Sequence, residues 1–370
     1  MKYQRMPIEV ESPEQVGYDA IRFNLAESSM RDRTVAELGL DLDLGRTLLL
    51  YGDHRGHPGL RMLLAAEGEC HPDQVLLTAG AAGALFIVAT SLLEAGDHLV
   101  VLRPNYATNI ETPRAIGAEA TYVDLTFERG WQWTVDEIAA AMTPRTRLVS
   151  ITTPHNPTGI VFDRGELARL ASLVAARGAW LLVDETYRDL TLAEPAPFAT
   201  ALGPHVISVA SLSKAYGLPG LRLGWLMTRD HALNERFLAA KEQIFICGAV
   251  IDEEIAYQVY RRRAQERPGI ATAVAQGRGI VRDWIATEPA MEWVEPEGGV
   301  VCFPRIRPES RADVPRFYAA LNGDLKTWVG PGHWFEQHDR YMRLGFGWPT
   351  HDELRGGLGA ISAALRVANG

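Results

Sequence analysis

Lys214 and Arg222 stand in SLSKAYGLPGLRLGW, residues 211–225, a hydroxyl-rich, glycine-punctuated stretch that offers neither charge an ordinary solvated helix face. Other short runs place polar residues directly after apolar ones. LVSITTPHNPTG brings Asn156, WLLVDETY brings Asp184 and Tyr187, VISVASLSK brings Ser211 and Ser213, and QVLLTAGAAGAL ends in a small-residue turn that opens a helix. Each has an ordinary explanation when taken alone: an Asp after a strand caps a helix or turn, Asn-Pro is a turn dipeptide, and a loop lysine is solvated. Together they meet the needs of one kind of cofactor. An aldehyde needs a lysine amine for a Schiff base, and a pyridine nitrogen held protonated needs a buried carboxylate. A phenolate oxygen needs neutral donors such as Asn and Tyr, and a phosphate needs hydroxyls, backbone N–H groups and an arginine.

These motifs resemble those of the fold type I pyridoxal 5'-phosphate (PLP) enzymes of the class I/II aminotransferase family, and the likeness runs from Tyr51 to Arg343. SLSKAYGLPGLRLGW is similar to that family's lysine signature, PHNPTG to its asparagine motif and VDETY to its Asp-x-x-Tyr motif. The resemblance implies that Lys214 carries the Schiff base, that Asp184 pairs with the ring nitrogen, and that Asn156 and Tyr187 bond the ring oxygen. It implies that Ser211, Ser213, Arg222 and the backbone at Ala81 and Ala82 hold the phosphate, while Tyr106 stacks on the ring. Arg343 in YMRLGF corresponds to the arginine that takes the substrate α-carboxylate, with Asn156 beside it. Tyr51 corresponds to a tyrosine that reaches the neighbouring subunit's phosphate, which implies a homodimer with shared active sites. His54, Arg55 and His57 in the same loop are either substrate contacts or solvated residues.

The implied reaction is exchange of an amino group between an L-amino acid and a 2-oxo acid. The same lysine and aspartate also serve a PLP-dependent lyase, cyclase or oxidase acting on an amino acid, including an arginine-derived one, which is the alternative. One departure bears on the substrate. Relatives carry a Gly-x-Pro segment near the N-terminus, whereas FNLAESSMRDRT here offers Asn24, Glu27 and Ser28. Those side chains either enter the pocket, where an acidic group would suit a cationic substrate, or belong to a surface arm.

The elements that must position these residues read as α/β. Seven apolar runs, several of them β-branched, recur from about residue 75 to about 228, separated by amphipathic stretches such as GALFIVATSLLEAG, TVDEIAAAMTP and GELARLASLVAARG. In such sheets ligands collect at the carboxyl ends of the strands. After Trp225 the pattern turns helical, broken at RRRAQERP, then short strands appear around Gly298 and Gly299. The expectation is a PLP-dependent transferase fold of type I. A large domain over 46–245 has a mostly parallel mixed sheet sandwiched by helices. A smaller α+β domain combines the arm 1–45 with 246–370.

At 370 residues, 47% hydrophobic and 22% charged, the chain has the composition of an ordinary globular protein. A net charge of −9 argues against nucleic acid as a partner and makes any anion site local. No stretch approaches a membrane span, and the N-terminus lacks the apolar core of a signal peptide. Cys70, Cys247 and Cys302 show no metal-binding spacing, so no metal is expected and a cytoplasmic location follows.

Overall fold

The computed structural model describes residues 1–370. All seven apolar runs are strands of one sheet, in the order Val75–Ala79, Leu223–Thr228, Val206–Ser211, Trp180–Asp184, Thr146–Thr152, His98–Arg103, Glu119–Asp124. Only Leu223–Thr228 runs against its neighbours. The other pairings are parallel.

Strand alternation sends successive side chains to opposite faces, and helices cover both. Val100, Leu102, Val149, Ile151, Leu181 and Val183 pack with Ile138, Leu167 and Leu170 from the helices Val135–Ala141 and Arg164–Ala176. Leu99, Val101, Leu148, Leu182, Ile207 and Val209 pack on the opposite side with Leu85, Val88 and Phe237 from Gly80–Leu92 and His231–Phe245. Covering both faces explains why the central runs read as nearly unbroken apolar sequence. The edge strand Glu119–Asp124, by contrast, leaves most of its residues partly open.

Beyond Thr228 the helices Val250–Tyr260, Arg263–Thr287, Val314–Asn322 and His351–Asn369 pack with strands of only two to four residues. The break expected at RRRAQERP falls at Arg261–Arg262, and the following helix continues through Pro268. Near a helix start, proline disturbs only the first turn's carbonyls. Residues 23–24 join this part of the molecule, pairing in parallel with Thr327–Trp328. No helix is long and apolar enough to cross a membrane.

Candidate active site

A cavity of about 380 Å³ opens where the strands Thr146–Thr152, Trp180–Asp184 and Val206–Ser211 end. Asp184 is the last residue of its strand; Lys214, Ser213 and Ser211 follow from the next. Asn156, Tyr187, Tyr106, Arg222, Arg343, Ala81 and Ala82 complete the set that the motifs had singled out, Tyr51 excepted, and all of these line the same cavity. Parallel strands deliver their carboxyl ends to one edge, which is why motifs far apart in sequence converge there.

One end of the cavity is built for an anion. The helix Gly80–Leu92 begins there with no side chain capping its first N–H groups. Gly80 has φ +70°, and a Cβ at that position would stand 2.5 Å from Arg222 Nη2. Arg222 itself is left-handed at φ +49°, with Nη1 donating to Pro219 O at 2.8 Å. Ser211 and Ser213 are both buried. Gly224, on the strand behind, lets the helix start sit close: a Cβ there would lie 2.5 Å from Gly80 C and 2.6 Å from Ala81 N. Gly224→Ala therefore displaces the helix start. The expected cost is about 1–3 kcal/mol, read as a lower thermal midpoint together with weaker cofactor retention.

At the other end Asp184 is 4% exposed, and its Oδ1 accepts from Thr186 N at 3.0 Å and Thr186 Oγ1 at 2.6 Å. Burial raises this carboxyl above the usual carboxylate range, with its hydrogen bonds and Lys214 pulling the other way. Lys214 Nζ donates to Ser28 Oγ at 3.0 Å. Burial, and next the Arg343 charge, lower that amine from its ordinary value. Arg343 is 4% exposed; Nη1 donates to Asn156 Oδ1 at 3.1 Å and Nη2 to Ala26 O at 2.8 Å. Its Nε and the buried Tyr187 hydroxyl have no hydrogen-bond partner in the chain.

None of Lys214, Arg222 and Arg343 forms an ion pair. Of the three, Arg343 is buried, Lys214 half-buried and Arg222 exposed; a buried cation without a carboxylate is costly unless a ligand supplies the charge. The uncapped helix start beside Arg222, the unpartnered Tyr187 hydroxyl and the buried Asp184 fit the phosphate, ring oxygen and ring nitrogen of PLP.

Tyr51 does not enter this cavity in its own chain; it is 76% exposed. His54, Arg55 and His57 instead pair with Glu242, Glu235 and Glu254 on neighbouring helices, so they belong to the molecule's surface framework. Of the N-terminal trio, Glu27 and Ser28 line the cavity, and Asn24 lies behind them, donating from Nδ2 to Glu27 Oε1 at 3.3 Å. The motifs gave no sign of Glu9, Ser12, Glu14 and Trp334, which also line it. Thr186, which orients Asp184, was visible only as a residue inside the Asp-x-x-Tyr motif.

The sequence matches the family description "Aminotransferase class I and II" over residues 21–361. It is 32% identical to capreomycidine synthase of Streptomyces vinaceus, over 94% of this chain and 91% of that protein. It is 29% identical to an arginine–pyruvate transaminase of Pseudomonas aeruginosa, over 70% of this chain and 68% of that one. Among solved structures, a PLP-dependent aminotransferase from Streptococcus suis superposes with a TM-score of 0.89 at 29% identity, covering 100% of both chains.

Proposed function

The chain belongs to the class I and II aminotransferases, a PLP-dependent family of fold type I, and from that membership we propose how its own residues exchange an amino group between an L-amino acid and a 2-oxo acid. The observation that carries the reading is the set of three unpaired cations, Lys214, Arg222 and Arg343, around the buried Asp184 in one cavity. Bound PLP supplies an aldehyde that takes up the amino group and a protonated ring that accepts electron density from the substrate α-carbon.

The residues divide that work by position. Arg222, the hydroxyls of Ser211 and Ser213 and the N–H groups at Ala81 and Ala82 bind the phosphate. Asp184, held by Thr186, keeps the ring nitrogen protonated. Tyr187 and Asn156 donate to the ring oxygen, and Tyr106 covers the ring. Arg343 binds the substrate carboxylate through the guanidinium edge that carries its free Nε. Lys214 Nζ anchors the cofactor and moves the proton at the substrate α-carbon; its lowered proton affinity supports that role.

The reading extends to a homodimer. Leu48, Leu49, Leu50 and Tyr51 form a run of large apolar side chains, each more than half exposed, in the loop that would meet a second copy. Tyr51 then reaches the partner's phosphate site. Three free cysteines fit a reducing cytoplasm.

Incubating the enzyme with a 15N-labelled amino acid and an unlabelled 2-oxo acid tests the proposal. Transfer of label to the new amino acid supports it. Label released as ammonia, or retained in a cyclised product with no oxo-acid requirement, would assign the lyase or cyclase chemistry instead.

A further inference from the structure

The cavity carries a second charge pattern that amino transfer does not need. Glu9, Glu14 and Glu27 line its mouth, contributed by the short helices Pro7–Val10 and Pro13–Val16 and the segment after Asn24. None of the three takes part in an ion pair, although 37 lysines and arginines are present in the chain. Glu27 is the innermost. Its Oε1 accepts from Tyr18 Oη at 3.2 Å and Asn24 Nδ2 at 3.3 Å, and these neutral donors leave the charge uncompensated. Burial first, and then the Glu14 charge, raise the Glu27 carboxyl above its ordinary range, while Lys214 acts in the opposite sense. Like charges facing one cavity repel, and a cation placed between them relieves the repulsion.

The backbone fixes where Glu27 stands. Its two chain neighbours are tied to the reaction centre, Ala26 O accepting from Arg343 and Ser28 Oγ accepting from Lys214 Nζ. A substrate whose carboxylate sits on Arg343 and whose amine lies beside Lys214 therefore has its side chain in the same cavity that Glu27 lines. The independent sign of a ligand is Arg343, 4% exposed, free of any carboxylate and with Nε unpartnered. An anion-seeking buried guanidinium and a cation-seeking carboxylate wall in one cavity ask for a molecule bearing both charges.

Resting on the aminotransferase reading above, we infer that the amino donor is an L-amino acid with a cationic side chain, an ammonium or guanidinium, held by Glu27 with Glu14 behind it. The group recognises charge at the end of an aliphatic stem, so the informative comparison is between L-ornithine and L-norvaline, which share a five-carbon skeleton and differ in the terminal amine. The purified holoenzyme is expected to favour ornithine, lysine or arginine over norvaline by at least about tenfold in kcat/KM for the half-reaction followed by cofactor absorbance. Glu27→Gln should lower the ratio of cationic to neutral substrate by about tenfold, and Glu14→Gln should lower it by a smaller factor. The Glu14 variant changes an exposed side chain, so it tests the idea even where the Glu27 variant folds poorly.

Equal or better turnover of norvaline, or of aspartate or glutamate, overturns the inference while leaving amino transfer standing. A Glu27→Gln enzyme whose pH profile shifts identically for both substrates, with their ratio unchanged, also overturns it and makes Glu27 a group that tunes Lys214. Failure of every amino acid to change the cofactor spectrum would strike the aminotransferase reading itself.

Discussion

Lys214→Ala is expected to remove the absorbance band of the covalently held cofactor and to lower turnover by about 10²–10⁴-fold, the range typical for losing a positioned proton carrier. The reason lies in how little else the side chain does. Its one hydrogen bond is to Ser28 Oγ, and it has no ion-pair partner, so the substitution removes a charge that burial disfavours rather than a packing element. Thermal unfolding of the cofactor-free variant should accordingly show a midpoint no lower than that of the parent. An intact band with near-normal turnover would take Lys214 out of the reaction.

Asp184→Asn has the next largest expected effect. The amide keeps the shape and can still accept the two Thr186 hydrogen bonds, so the loss is one of charge. An opposite charge at contact shifts a partner's pKa by about 1–3 units, and each unit is tenfold in the protonated population, so turnover should fall by roughly 10- to 10³-fold. Steady-state rates on cofactor-saturated enzyme measure it, and activity within about twofold of the parent would refute the ring-nitrogen role. A second consequence concerns the cofactor-free protein. Burial raises the Asp184 carboxyl, so its contribution to stability is present while it is protonated and is lost as pH rises through the folded-state value. The asparagine variant has no such loss, and its cofactor-free form should unfold at a higher temperature than the parent at pH 8.

The sheet and most of the residues lining the candidate site were legible in the sequence because several of them end or follow a strand that announces itself. WLLVD must be buried on both faces, and Asp184 ends it; VISVAS does the same for Ser211, Ser213 and Lys214. Arg222 and Gly224 could be placed through their spacing from that lysine. The family resemblance, now supported by the match over residues 21–361, added roles that spacing alone left open.

The acidic wall was not legible in the same way. Glu9 and Glu14 sit in helices of four residues each, too short to show a periodicity, and they reach the cavity through tertiary contacts. Glu11, between those two helices, is held by Trp334 Nε1, which donates to its Oε2 at 2.7 Å, and by His333 Nε2 at 2.8 Å from the same oxygen. Only Glu27 was hinted at, by the absence of a Gly-x-Pro segment. Tyr51 marks a different limit. Its ring is exposed beside three exposed leucines, and what would cover it is the second copy proposed above, which one chain's sequence pattern does not display.

The central claim is that this cavity shuttles an amino group by way of the cofactor anchored at Lys214. The most direct test is an absorbance titration of the purified holoenzyme, first with a cationic L-amino acid and no acceptor, then with a 2-oxo acid. Loss of the aldehyde-derived band in proportion to the amino acid added, and its return on adding the oxo acid, is the predicted result. A spectrum that never regenerates the first band, or that turns over amino acid with no acceptor present, would contradict it.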